Sequence, residues 1–536
     1  MAKKYILLPA LLLCIPAMMT AQTAFDIYGI SQNDLRGTAR FVSMAGAYGA
    51  LGGDLTSISL NPGGIGVYRS SDIGITVDFD MYSSKAGDQG MTSKTTRFNT
   101  YMGNVGYVGT KRFNSEIIPN INWGITYNRI ASFNKHYRGH IGNLSTSFSN
   151  YIAGVTNSYG WSREDLAFGS TFDPYLDGSA NWMSILAFDS YMMNQLSAET
   201  GFQGLYGDGT TGSATFETHE SGGIDGYDFS FGGNLCDKFY WGINFGYTVF
   251  NRTTTTYYGE SLDNAYVVTD TGDETIRQGT ADYGIYNYEH LKGDGYNFKL
   301  GFIYKPIQEL RLGFAFHTPT YYSFDAEYYT ENEYRYVNGA GTLQDVNGVN
   351  EGYSDYYSFK ANTPWKFVAS AATVLGGKGI ISMDYEYAGY NSMGAEDYYG
   401  NSNIGTNNDI GYYYKPAHTI KIGGELRLTS NVSIRCGYSY KTSPVENGLK
   451  NNLENVNTTL MPASYVLDDW TQHVTAGIGY RNNWFYADLA YVFSNEKSEY
   501  HAFSPVVGGF SYYEDSPSAN LYNRNNRIVI SMGVRF

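Results

Sequence analysis

The stretch Gly37–Tyr68, GTARFVSMAGAYGALGGDLTSISLNPGGIGVY, divides this chain in two. Arg40 and Asp54 are its only charged residues, and its glycine density is too high for a stable helix. It runs into Asn61-Pro62-Gly63-Gly64. Proline fixes φ at its own position and the glycines reach φ > 0 without a Cβ penalty, so these four residues read as a turn. Residues before the stretch read as an export signal, and residues after it read as amphipathic strands. A compact hatch folded ahead of the first strand of a barrel fits that order. A loosely ordered N-terminal arm fits the composition equally well.

The composition points the same way. A soluble chain of 536 residues is expected to divide into several domains, whereas a barrel can be one domain of any circumference. Tyr 52 and Gly 63 are high and charged residues are only 16%. A mean hydropathy of -0.34 excludes a bundle of membrane helices. It does not exclude a barrel, whose membrane face occupies every second residue. The net charge of -15 offers no basic patch for nucleic acid.

Met1–Ala21 has the order of a signal peptide: Lys3 and Lys4, then the uncharged apolar run Tyr5–Met19, with cleavage expected after Ala21. Cys14 follows Leu13 where a lipoprotein needs a small residue, so lipid attachment is not expected. Cys236 and Cys436 are too few and too far apart to form a disulfide framework. No later apolar run reaches the ~18 residues of a membrane helix.

Period-two alternation recurs along the rest. Ile73, Ile75, Val77, Phe79 and Met81 alternate with Gly74, Thr76, Asp78 and Asp80. Trp241, Ile243, Phe245, Tyr247 and Val249 alternate with Gly242, Asn244, Gly246 and Thr248. About fourteen such runs lie near 70–84, 94–110, 119–138, 220–235, 237–258, 283–304, 308–330, 353–375, 378–391, 411–429, 431–443, 466–481, 483–498 and 522–536. Short turns, such as Leu235–Lys238 and Leu375–Lys378, alternate with long loops. Outer-membrane barrels have this asymmetry, with the short turns periplasmic. The architecture expected is therefore all-β: residues 22–69 as hatch and 70–536 as a transmembrane antiparallel barrel with a long extracellular loop 139–219. Inside that loop Trp182, Ile185, Leu186, Met192, Met193 and Leu196 recur at helical spacing and predict an amphipathic helix. Its apolar stripe either meets a hydrophobic ligand or packs the helix on its neighbours. Aromatic girdles are expected at Trp123, Tyr127, Tyr240, Trp241, Tyr304, Tyr438, Tyr440, Trp470 and Tyr480.

Gly37-Thr38-Ala39-Arg40, Ser43-Met44-Ala45-Gly46-Ala47, Asp54 and Asn61-Pro62 together resemble the N-terminal hatch of the FadL/TodX family. That family comprises outer-membrane transporters of long-chain fatty acids and other hydrophobic compounds. It usually reads Asn-Pro-Ala, and here Gly63 takes the third place. The resemblance implies a hatch built on Asn61, Pro62, Gly63 and Gly64 inside a barrel of this strand number. It also implies passive uptake, with sideways exit into the membrane through a gap made by a strand kink. The partners implied are a hydrophobic small molecule, outer-membrane lipid and the barrel-assembly machinery. The alternatives left open are a general diffusion porin and a haemin- or other ligand-binding receptor, since some relatives carry a haemin label.

No nucleophile elbow, His-Glu-x-x-His or Walker loop occurs, so an enzyme is not expected, nor a cofactor. The eight His are dispersed, and His317 and His473 fall on the polar side of strands. Haem ligation needs a placed axial residue, and none stands out. Inward charges expected from the alternation are Lys299, Arg311, Asp384, Glu386, Lys421, Glu425, Arg427, Arg435, Asp488, Arg527 and Arg535. The chain ends on Phe536 after an alternating strand, which resembles the signal read by the assembly machinery. Deleting Phe536 is expected to lower outer-membrane yield while leaving the folded fraction heat-modifiable on a gel. An unchanged yield would remove the signal role.

Overall fold

A computed structural model describes residues 23–88, 91–197, 201–268, 276–337, 343–349, 355–450, 453, 456, 458, 463–505 and 516–536. The expected signal peptide and Cys14 lie outside these residues. The alternating runs form fourteen antiparallel staves closed into a barrel. They are β1 (Asp72–Asp88), β2 (Met91–Arg112), β3 (Asn120–Ser132 and His136–Ile141), β4 (Thr211–Leu235), β5 (Phe239–Val268), β6 (Ile276–Tyr304) and β7 (Leu310–His317 and Tyr321–Val337). The second half comprises β8 (Leu343–Val349, Asp355–Asn362 and Lys366–Leu375), β9 (Gly379–Ala388 and Gly394–Asp397), β10 (Ala417–Arg427), β11 (Val432–Lys441), β12 (Tyr465–Arg481), β13 (Phe485–His501) and β14 (Ser518–Arg535). β1 pairs with β14 from Asp72↔Arg535 to Gly87↔Asn520, so the sheet has no free edge there. Ser71 and Phe536 exchange both backbone hydrogen bonds at the seam, which places the two ends of the wall on one side.

Alternation decides which way each side chain faces. Ile73, Ile75 and Met81 are exposed, while Asp78 and Asp80 between them are buried. On β5 the outward apolar set runs from Trp241 to Val249 and then becomes Asn251, Thr253 and Thr255. Nine residues match the ~9–11 that a tilted strand needs to cross a bilayer. Exposed apolar side chains continue around the wall at Phe229, Phe298, Phe314, Met383, Ile422, Ile478 and Ile528. The molecule is a multi-pass transmembrane β-barrel, the architecture of outer membranes.

Several staves outrun the bilayer. β5 has 30 residues, roughly 100 Å at about 3.3 Å each. Above the belt the outward positions turn polar, so the apolar alternation ends there while the ladder continues. This is why β4, β5 and β6 extend past 220–235, 237–258 and 283–304, and why the loop expected at 139–219 shrinks to 142–210. The strand expected from 411 begins only at Ala417, because Tyr412 and Tyr413 belong to a helix, Ile404–Tyr413.

The loop 142–210 carries α-helices at Phe148–Tyr159 and Trp182–Asp189. The second is not amphipathic. Met183, Ile185, Leu186 and Ala187 are all fully buried, as are Met192 and Met193 beyond its end; Leu196 lies in a short strand, Asn194–Ser197. Met183, Ile185, Leu186, Ala187, Met192 and Met193 form one apolar core with Tyr258, Leu262, Tyr283, Tyr500 and Leu521 of the wall. The stripe therefore packs on its neighbours and the loop fills the upper mouth. Tyr240 is also corrected: it lies between outward Phe239 and Trp241, so it faces inward, with the Arg69 guanidinium 6.0 Å from its ring centroid.

A protease-cleavable tag after Gly169 is expected to be cut on intact cells. One placed at Gly376-Gly377 is expected to be cut only after the outer membrane is opened. The reverse pattern would invert the two faces.

Candidate functional site

The N-terminal segment lies inside the barrel, and its backbone reaches the wall at positions where the wall carries no side chain. An ideal Cβ on Gly301 would sit 2.0 Å from Asn61 Oδ1, and one on Gly242 would sit 2.1 Å from Pro62 O. Asn61 Nδ2 donates to Gly49 O at 2.6 Å and to Phe302 O of β6 at 3.1 Å, while its Oδ1 accepts from Gly63 N at 3.0 Å. Pro62–Val67 forms a 3-10 turn in which Pro62, Gly63 and Gly64 are buried. Asp54 organises the preceding turn, accepting from Thr38 Oγ1 at 2.6 Å and Thr56 N at 2.9 Å.

The inward charges of the wall hold the same segment. Asp384 Oδ2 accepts from Tyr48 N at 3.0 Å and Gly49 N at 2.8 Å. Glu425 binds Arg40 at 3.1 Å and Arg435 at 2.6 Å, and Arg435 continues to Asp488 at 2.6 Å. Arg311 donates to Leu51 O, Arg527 to Leu35 O and Arg535 to Gly53 O. Lys299 pairs with Asp228, and Lys421 with Glu386. Arg427 alone of the expected inward set stands exposed, at the rim. His317 Nε2 meets Leu60 O and His473 Nδ1 meets Ser494 Oγ, both at 2.8 Å, so both act as hydrogen-bonding side chains. Phe536 is 70% exposed beside the β1–β14 seam.

Above the hatch is a cavity of about 300 Å³. Leu35, Phe41, Leu60, Ile130, Ile224 and Tyr322 give it an apolar side. Lys299, Lys366, Lys421 and Lys441 also line it, together with the carboxylates Asp34, Asp228, Glu386, Asp468, Asp469 and Glu496. Such a lining suits a solute with an apolar body and a polar or anionic end. Near its upper side is the first helix, Ala24–Ile30, capped reciprocally by Thr23 and Asp26. Burial, with the nearby Glu289 carboxylate, pushes the Asp26 carboxyl up to about 6. Ionisation there costs the docked helix more than a free one, so its docking weakens as pH rises through that value.

The cavity reaches a break in the wall. The β2–β3 ladder runs from Arg112↔Asn120 to Asn104↔Asn128 and stops. β2 continues to Met91 paired with β1, and its exposed Met102 and Phe98 still lie in the apolar belt. β3 shifts register between Arg129 and Ala131, then is interrupted at residues 133–135. The hatch supplies partners at this point. Asp34 N donates to Ile130 O, and Asp34 Oδ2 accepts from Ser132 N, both at 3.1 Å. Tyr101 of β2 bridges the opening: its hydroxyl accepts from Ser132 Oγ at 3.0 Å and from Asn134 Nδ2. Arg36 and Arg129 sit over its ring, 5.3 and 5.5 Å from the centroid. Arg36 in turn binds Asp34 at 2.9 Å, Asp78 at 3.2 Å and Asp80 at 2.6 Å, all but Asp34 deeply buried. Sequence reasoning missed Arg36, Tyr101 and the break, because Phe133-Asn134-Lys135 contains no glycine or proline to mark it.

No protein-family model and no curated protein matches this sequence. Among solved structures the chain is similar to a Pseudomonas aeruginosa FadL homologue at 13% identity, covering 94% of this chain and 99% of that one, TM-score 0.49. It is similar to the P. putida toluene transporter TodX at 13% identity, with coverages of 94% and 99% and TM-score 0.43. It is also similar to the CymD monoaromatic hydrocarbon channel at 10% identity, 94% and 99%, TM-score 0.45. The barrel and its belt stand on this chain's own ladders and surface.

Arg36→Ala takes from buried Asp78 and Asp80 the guanidinium that bonds both and leaves them only Arg527, 3.9 Å from Asp80; breaking a buried pair in this way costs about 3–5 kcal/mol. Hydrogen exchange at residues 34–43 is expected to accelerate accordingly while the barrel stays heat-modifiable. Adding Asp78→Asn and Asp80→Asn is expected to recover much of the protection. Unchanged exchange in Arg36→Ala would deny the triad its anchoring role.

Proposed function

We propose that this protein takes up hydrophobic small molecules passively across the outer membrane, with amphiphiles of the long-chain fatty-acid class as substrates. The hatch built on Asn61, Pro62, Gly63 and Gly64 blocks the straight path, and the substrate leaves sideways between β2 and β3 into the lipid. The observation that carries this reading is the end of the β2–β3 ladder at Asn104↔Asn128, within the apolar belt and beside the cavity. An apolar solute gains nothing from an aqueous exit and gains on transfer to lipid, so a side door suits it. Tyr159, Phe168 and Leu176, exposed on the outer loop, offer a first apolar surface. Lys299, Lys366, Lys421 and Lys441 in the cavity lining offer an acid head a counter-charge that a bare hydrocarbon does not use. Outer-membrane lipid is then the acceptor, and the assembly machinery reading Phe536 is the partner in biogenesis.

The test bridges the opening. In a Cys236→Ser, Cys436→Ser background, Tyr101→Cys and Asn134→Cys are joined by a short bis-maleimide. Oleate uptake by cells is expected to fall several-fold on bridging, with single-cysteine controls unaffected and small-sugar flux low throughout. Full uptake after bridging would reject the lateral exit. High sugar flux in the unmodified protein would favour the porin.

A further inference from the structure

A second cluster lies outside the cavity. His136 opens the upper piece of β3, immediately after the interruption, and stands directly opposite His219 of β4 in the antiparallel pair. Glu217 is two residues from His219 and so shares its face of the strand, the face of exposed Thr215. Both Nε2 atoms lie 2.8 Å from one oxygen, Glu217 Oε1. The two rings are stacked 3.8 Å apart at 17°. One donor atom from each of the three residues lies within 4.8 Å of the others.

We propose that His136, Glu217 and His219 form a binding site for a divalent transition ion of the zinc class. Two imidazoles and a carboxylate are a donor set that such ions prefer, and a water would complete four-coordination. Bonds of about 2.0–2.1 Å in a tetrahedron separate the donors by about 3.3 Å, so the two contacts to Glu217 need to open by about half an ångström. Access is available: the side chains of His219 and Glu217 are 46% and 34% exposed, and His136 is 21% exposed. The stacked rings also gain, since an ion between their nitrogens replaces competition for one carboxylate oxygen. The nearby Arg97 guanidinium, which donates to Glu220 O, opposes the ion's charge and lowers the affinity. An ion here clamps the upper piece of β3 to β4, next to Ser132 and Asn134 at the opening, and anchors the root of loop 142–210.

The test uses the full-length protein in detergent, stripped with chelator and titrated with Zn²⁺ by calorimetry, with Co²⁺ absorption reporting the geometry. One equivalent is expected, with tetrahedral Co²⁺ bands. Glu217→Gln and His219→Ala should each weaken binding about tenfold or more, while His140→Ala, on the same face, leaves it unchanged. Zn²⁺ should also slow hydrogen exchange at residues 136–141. Each variant is checked for heat-modifiable mobility, and Glu217→Gln keeps the shape of the site. Absence of stoichiometric binding, or equal affinity in the three variants, overturns the assignment.

Discussion

Inside a bilayer no backbone N–H or C=O can be left without a partner, and the rest of this structure depends on that requirement. The wall meets it by closing β14 onto β1. Where the β2–β3 ladder stops, the wall no longer meets it alone. There Asp34 of the hatch bonds Ile130 O and Ser132 N, replacing a neighbouring strand with one residue. The hatch is thus a structural part of the wall at one place. That place is also where the wall is weakest, because bonds to a single acidic residue are exchanged more easily than a continuous ladder.

The same segment is held everywhere else by a different device. Wall glycines such as Gly242 and Gly301 bring backbone against backbone, and inward charges reach the carbonyls and amides thus exposed. Asp384, Arg311, Arg527 and Arg535 all act on main-chain atoms of the hatch. Charges bonded in this way are fixed dipolar clamps, unlike the mobile lining of a water-filled pore. The cavity lysines are not among these clamps: Lys299 and Lys421 pair with Asp228 and Glu386 of the wall instead.

The fold is legible because a membrane face writes its period into the sequence. Ile73 to Met81 and Trp241 to Val249 need no partner information to be read as wall. The girdle residue Tyr240 is misread when aromatic content is weighed before parity. Strand extensions above the belt are invisible, since both faces there are polar or tyrosine-rich. The helix Phe148–Tyr159 escapes the pattern, and Trp182–Asp189 takes the wrong surface from it. A mostly apolar helix whose Met183, Ile185, Leu186 and Ala187 are all buried looks, over a few residues, like a striped one. Pairing His136 with His219 depends on register between staves far apart in sequence, and pairing Arg36 with Asp78 and Asp80 on where the hatch docks against β1. Single-chain patterns carry no record of that register.

These pieces bear jointly on how a solute would move. Tyr101 is held by hydroxyl bonds to Ser132 and Asn134 and by two guanidinium groups over its ring, one from the hatch and one from β3. Neither guanidinium is spare: Arg36 bonds Asp78 and Asp80, and Arg129 pairs with Asp225 at 2.9 Å. Moving Tyr101 aside therefore costs the bonds of its hydroxyl and the cation–π contacts, but leaves the ion pairs in place. Displacing the hatch itself would break the buried pairs, a far larger cost. On the proposed route the cheaper motion is the side chain's, so a solute in the cavity would open the side of the barrel well before it dislodged the plug below.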